Sequence, residues 1–305
     1  MNTIGLESDA NRNTDVQLGT TSVVVKNILA ATDFSEEATL AIKIAARLSK
    51  QFNCSLHVLH SVDPQVYVSS VTPVIEQHAV ENARKLLHEY NSEIPNLRLA
   101  KYDEIVLPAD ATEAIVAVAE QTRADLVVVG SSGRSGAGKL VLGSVAEAAI
   151  RRLHCPVLVV GPNCLVRHGM PEAIVLASSL PIGSLRATQY AMAIAQDFGA
   201  SLTLVHVLPK DIAEEDIPGE KLSATQILRE LVSADIEIRK HIRSEVVSGD
   251  RAEQIVQVAN DNKAGLIVMG VRQLALLADH APWTTLSEVI RSAHCPVLAV
   301  QSHLE

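Results

Sequence analysis

Aromatic residues are scarce in this chain: Phe, Trp and Tyr together make up 3% of it, with a single tryptophan, Trp283. Readers of single-stranded nucleic acid, sugar platforms and flavin sandwiches all lean on aromatic faces, so the scarcity argues against each of them. Positive charge is short as well. The formal net charge is −9, whereas a binder of duplex DNA needs a positive field. Cysteines number four, Cys54, Cys155, Cys164 and Cys295, with no C-x-x-C pair and no His pair at metal-ligand spacing beside them. That is too few for a disulfide framework, and they read as small buried apolar residues in a reducing compartment. No apolar run reaches the roughly 18 residues of a membrane-spanning helix. The polar stretch 1–23 lacks a basic start and an apolar centre, so it reads as a disordered tail and not as a signal peptide. These absences point to a cytoplasmic protein with neither membrane nor nucleic acid as partner, whose anionic ligands are small and locally held.

What is present is a repeat. A length of 305 residues with 48% apolar content suits two domains of about 150 residues. Val25–Thr32 opens the first half as a β-branched apolar run, and Ala173–Ser178 opens the second in the same way. At an offset of 146, Phe52 falls on Phe198, Ser55-Leu56 on Ser201-Leu202 and His60 on His206. Further on the offset is 140: Asp110 falls on Asp250, Glu113 on Glu253, Gly130 on Gly270, and His154-Cys155-Pro156-Val157-Leu158 on His294-Cys295-Pro296-Val297-Leu298. The halves are homologous.

Within the first half the pattern predicts strands near 25–31, 55–61, 97–103, 125–130 and 156–161, and helices near 36–51, 74–91, 110–122 and 143–153. Asp110 with Glu113, and Asp250 with Glu253, form a capping-box pattern. Asp125-Leu126-Val127-Val128-Val129 is apolar without alternation, as a strand covered on both faces must be. Strands alternating with helices imply an α/β fold of two repeated doubly wound domains, each with a five-stranded parallel sheet in the order 3-2-1-4-5 and helices on both faces. The expected boundaries are 24–161, a linker over 162–172 carrying two prolines and a glycine, and 173–305.

The fourth strand runs into Gly130-Ser131-Ser132-Gly133-Arg134-Ser135-Gly136-Ala137-Gly138-Lys139-Leu140-Val141-Leu142-Gly143-Ser144. Glycines let phosphate oxygens approach backbone N–H groups, and Gly143-Ser144 opens a helix whose first N–H groups attract anions. Gly133 to Lys139 has the spacing of a Walker A loop, but Leu140 stands where Ser or Thr should hold Mg²⁺, and the segment follows the fourth strand and not the first. The dinucleotide fingerprint belongs to the first strand–helix turn, which here reads Ala31-Thr32-Asp33-Phe34-Ser35 without glycine.

The spacing Gly130-x₂-Gly133-x₉-Gly143-Ser144 resembles the G-2x-G-9x-G-(S/T) signature of the ATP-binding branch of the universal stress protein family. Ile28–Ser35 resembles that family's first strand and acidic turn, Leu59-His60-Ser61-Val62 the end of its second strand, and Gly143–Val160 its last helix and strand. The likeness covers residues 24–161 well and 173–301 more weakly. It implies ATP, with or without Mg²⁺, lying across the carboxyl ends of the strands. By that resemblance Asp33 sits at the adenosine end and Ser61 meets adenine through its backbone. Val129 and Gly130 flank base and ribose, while Gly133, Gly143, Ser144 and Val145 surround the phosphates. Arg134 and Lys139 are additional charges that the signature does not fix. Read alone, Gly130 also suits a strand end, Gly143 the packing of a helix start, and Asp33 a helix cap. His60 and His206 suit architectural hydrogen bonds, and His154 and His294 favourable places near a helix C-terminus.

In the second half Ser179 stands for Asp33, Gln273 for Gly133 and Trp283 for Gly143; only Gly270 and Thr284 survive. Loss of the cradle there predicts one nucleotide per chain. Replacing Gly133 or Gly143 by a β-branched residue is expected to abolish binding with the fold largely intact. The resemblance further implies pairing of the two domains through Val157–Val160 and Val297–Val300, which also covers strand edges, and leaves room for a homodimer. With no G-x-S-x-G, no H-E-x-x-H and no acidic pair beside the cradle, the chain reads as a nucleotide sensor or regulator of the stress response and not as an enzyme. The alternatives are adenylyl transfer or ATP hydrolysis with the second domain as substrate site, and a scaffold without nucleotide. The protein partner is not legible.

Overall fold

The computed structural model describes residues 24–64, 73–95, 97–132, 142–165, 169–179, 185–232, 241–272 and 283–302. The tail expected over 1–23 lies outside them, as do Gly133, Arg134, Lys139 and Gln273. The first half runs β1 (Asn27–Ala31), α1 (Glu36–Phe52), β2 (Ser55–Ser61), α2 (Pro73–Ser92), β3 (Tyr102–Leu107), α3 (Ala111–Thr122), β4 (Leu126–Gly130), α4 (Ser144–Arg152) and β5 (Val157–Val160). The second runs β6 (Ala173–Ala177), α5 (Leu185–Phe198), β7 (Ser201–Leu208), α6 (Ile217–Glu230), β8 (Ile242–Ser248), α7 (Arg251–Asp261), β9 (Leu266–Arg272), α8 (Trp283–Ser292) and β10 (Val297–Ser302).

All ten strands belong to one sheet, ordered β3-β2-β1-β4-β5-β10-β9-β6-β7-β8. Each half is thus a parallel 3-2-1-4-5 unit, and the units join where β5 meets β10 antiparallel. In that junction Leu158 pairs with Leu298, its own counterpart in the repeat. A local twofold axis therefore passes between these two leucines. One apolar core covers the face under α3, α4, α7 and α8, and the other the face under α1, α2, α5 and α6. The central strands have both faces buried, which is why β4 and β5 read as unbroken apolar runs.

The repeat extends to the helix ends. Asn53 (φ 51°) ends α1 in the left-handed region and Gly199 (φ 63°) does so after α5. Arg123 and Lys263, both at φ 51°, repeat this after α3 and α7. Each reversal lets the next residue's N–H return to a carbonyl five residues back, as from Cys54 to Ser49 and from Ala200 to Ala195 (2.9 and 2.8 Å).

The third strand begins later than the apolar pattern suggests. Leu97–Leu99 forms a 3₁₀ turn, closed by Leu97 N–H to Ile94 and Ala100 N–H to Leu97. It sinks Leu97 fully into the core, while β2 pairs from Leu56↔Tyr102 onward. Local bonding and the burial of Leu97 claim this segment, so the edge strand is built from the more polar Tyr102–Leu107.

Candidate functional site

The chain leaves β1 toward one face and β4 toward the other, so the β1/β4 boundary of the 3-2-1-4-5 order is a switch point, where a crevice opens at the carboxyl ends of the strands. A cavity of about 230 Å³ lies there. Asp33, Ser61, Val129, Gly130, Gly143, Ser144 and Val145 all line it, with His60, Ser131 and Ser132 beside them. Gly133, the remaining candidate, lies outside the described residues.

The β1–α1 turn is held by its own side chains. Thr32 Oγ1 accepts from Phe34 N–H (2.9 Å), and Asp33 Oδ1 accepts from Ser35 N–H (3.0 Å). The residue that caps α1 is Ser35, whose Oγ accepts from Ala38 N–H at 3.3 Å; Asp33 shapes the turn one step earlier. These bonds hold Phe34 at φ 67°, a conformation costing a non-glycine residue about 1–2 kcal/mol. The Phe34 ring is pinned between His60 (centroids 4.4 Å apart) and Tyr90 (4.9 Å, edge-on). His60 Nδ1 lies 2.8 Å from the Thr32 carbonyl oxygen, and His206 Nδ1 makes the equivalent contact with Ser178 at 2.9 Å. A role shared by both halves is architectural.

The two described glycines act through close approach. A Cβ on Gly130 would sit 3.0 Å from Ala38 N and 3.1 Å from Glu37 Cβ, so the glycine lets the start of α1 reach β4. A Cβ on Gly143 would sit 2.9 Å from the Ser131 carbonyl oxygen, which already accepts from Gly143 N–H at 2.7 Å. Replacement of Gly143 by a β-branched residue therefore disturbs the backbone, contrary to the expectation that the fold would be left largely intact. Both glycines have packing duties as well as any duty toward a ligand.

Helix starts in the first half differ in a telling way. Ser35 caps α1, and Asp110 Oδ1 caps α3 by accepting from Thr112 N–H (2.8 Å) and Glu113 N–H (3.3 Å). The start of α4, at Gly143, has no capping side chain among the described residues. Its first-turn N–H groups open onto the cavity with the positive end of the helix dipole behind them. That is the physical requirement for an anion cradle.

The corresponding strand ends in the second half carry larger apolar side chains. Val207 stands for Ser61, Met269 for Val129 and Val271 for Ser131, all buried in the core. Thr284 and Thr285 border instead a shallow hollow of about 390 Å³ with Lys210, Asp250, Arg251 and Glu288. A third space, about 80 Å³, lies between α1 and α5 beside Phe52 and Phe198. Its walls are almost wholly apolar, and it offers no converging donors for a nucleotide.

Two consecutive segments, residues 25–161 and 170–301, match the universal stress protein family. The chain belongs to that family, with two copies of its fold in one polypeptide. Among curated relatives, the universal stress protein MJ0531 of Methanocaldococcus jannaschii is 32% identical over 146 residues, covering 44% of this chain and 81% of the relative. MJ0577 of the same organism is 29% identical over 156 residues, covering 46% and 96%. Among solved structures, a universal stress protein from Archaeoglobus fulgidus superposes with a TM-score of 0.64 at 20% identity, covering 92% of this chain and 98% of its own. At that identity the likeness speaks for the fold. No helix among the described residues is long and apolar enough to cross a membrane.

Proposed function

We propose that this chain is a nucleotide-binding universal stress protein that holds ATP in its first repeat only and acts as a sensor or regulator, with hydrolysis at most slow. The observation that carries the reading is the start of α4, uncapped among the described residues, facing a crevice into which the described signature residues converge. Adenosine would occupy the strand-end part of the crevice. There Asp33 offers a carboxylate to hydroxyl or amino donors, the backbone of Ser61 meets the base, and Val129 and Gly130 supply a flat apolar wall. The triphosphate would lie along Gly133, Gly143, Ser144 and Val145, received by main-chain N–H groups. ATP contributes the anionic chain and its phosphoanhydride bonds; the protein's part is to bind and orient them. The replacement of Gly133 and Gly143 by Gln273 and Trp283, and of Ser61 by Val207, supports a single site.

Calorimetric titration of the full chain with ATP tests this directly. About one nucleotide per chain is expected. Two equivalent sites, or no binding of ATP and no adenine nucleotide in the mass spectrum of the purified protein, would defeat it. Rapid multiple turnover would replace the sensor with an enzyme.

A further inference from the structure

The second repeat touches the site directly. Leu142, immediately before the start of α4, donates its N–H to Ser287 Oγ on α8 at 3.3 Å, a bond between residues 145 apart in sequence and in different repeats. On its other side the same turn is tied to its own repeat: Gly143 N–H donates to the Ser131 carbonyl at 2.7 Å, and Ser131 N–H to Val160 at 2.9 Å. The helix start is thus clamped between β5 and α8. Only about 10 Å³ of space remains where Ser131, Ser132 and Leu142 meet Pro162, Ser287 and Ile290.

Helix α8 is well placed to act as a fixed abutment. Gly161 packs so closely on its Ile290 carbonyl that no Cβ fits between them. Asn163 Nδ2 donates to the Arg291 carbonyl at 2.9 Å, and Leu165 N–H to the His294 carbonyl just beyond the helix at 3.0 Å. The support runs one way. Pro282 stands where Leu142 does and has no N–H to give. Glu147 stands where Ser287 does and is engaged by Arg151 on its own helix, at 2.8 Å.

We infer that α8 of the second repeat is a positioning element of the first repeat's nucleotide site, with Ser287 holding the Leu142–Gly143 start of α4 in the geometry that receives the phosphates of ATP. The inference rests on the nucleotide reading above and deepens it. The second repeat serves as the fixed wall against which the working cradle is set.

The test uses the full chain as wild type, Ser287→Ala and Ser287→Thr, titrated with ATP and with adenosine. Loss of one hydrogen bond that orders the phosphate end should raise the Kd for ATP roughly five-fold. Adenosine, which does not reach α4, should bind as before, and the threonine variant should restore ATP binding. Amide exchange of Leu142 in the ligand-free chain supplies a second readout: it should quicken by about ten-fold in Ser287→Ala and return in Ser287→Thr. Equal weakening of both ligands would make Ser287 merely structural, and unchanged ATP affinity or unchanged Leu142 exchange would overturn the inference while leaving the nucleotide reading standing. A wild-type chain that binds neither ligand would remove that reading, and the inference with it.

Discussion

The two repeats share a frame and differ in what they do with its open end. Helix-ending reversals, the His60 and His206 contacts and the strand order recur in both. At the carboxyl ends of the strands the first repeat has Ser61 and Ser131 where the second has Val207 and Val271. Duplicated folds can thus keep the parts that close the chain on itself while the open ends of the strands diverge. Apolar side chains at those strand ends gain stability by leaving water, at about 25 cal/mol per Å².

The sharpest way to break the comparison is to place one charge at each helix start. Ser144→Glu suits the positive end of α4 and should leave thermal stability unchanged or slightly higher. It sets a carboxylate against the triphosphate, so ATP affinity should fall on the order of 100-fold. Thr284→Glu, its counterpart, should leave the stoichiometry and affinity of ATP untouched. Equal effects from the two would show that the repeats are functionally alike.

Next in size is the junction. Gly161 and Gln301 occupy equivalent positions, yet the first packs bare against the Ile290 carbonyl, and the second donates its buried amide to the Ile150 carbonyl. Gly161→Ala must force α8 aside, a change of roughly 2–3 kcal/mol in unfolding free energy. Gln301→Ala leaves a buried acceptor without its donor, at about 1–2 kcal/mol. Urea titrations that also follow the denaturant slope would measure both, and reversal of the order would refute the packing asymmetry.

A smaller asymmetry concerns pH. Asp110 and Asp250 cap equivalent helices, but among the described residues only Asp250 forms an ion pair with a lysine, Lys210 at 3.4 Å. The Glu253 N–H bond, aided by Lys210, holds the Asp250 carboxyl below the ordinary aspartate range. Because its folded pKa is depressed, the stability it contributes is present above the unfolded value and is lost as pH falls through the folded one. Melting temperatures measured from neutral pH down to about pH 3 should fall less steeply in Asp250→Asn than in the wild type. Parallel curves would count against the bond.

Least visible should be thiol reactivity. Burial pushes the Cys155 thiol up to about 11, and its counterpart Cys295 is buried. Both should resist alkylation at neutral pH until the chain unfolds. Fast labelling of the native protein would mean that the junction opens.

The glycine spacing of 130–144, the capping residues Asp110 and Asp250 and the apolar strand runs were all legible in advance, because each depends on neighbours a few residues away. The start of β3 was not: Leu97–Leu99 has a strand-like composition, and only the full burial of Leu97 shows that the segment belongs in a 3₁₀ turn. The positive φ of Phe34 was also hidden, since the stacking that holds it comes from His60 and Tyr90 on other elements. The packing of Gly143 at a helix start was anticipated, but its partner, the Ser131 carbonyl, and the approach of Ala38 to Gly130 come from other segments.

From the order of its residues alone, this chain is a duplicated α/β protein whose first half alone carries the Gly130-x₂-Gly133-x₉-Gly143-Ser144 spacing; short-range periodicity and turn chemistry suffice for that. Only the tertiary structure decided that Leu158 meets Leu298 across the junction and that Ser287 reaches Leu142. Such contacts join residues more than a hundred positions apart, and they depend on the register of a single antiparallel strand pair. No local pattern encodes that register, because shifting it by two residues would preserve every alternation within each strand while moving α8 away from the cradle.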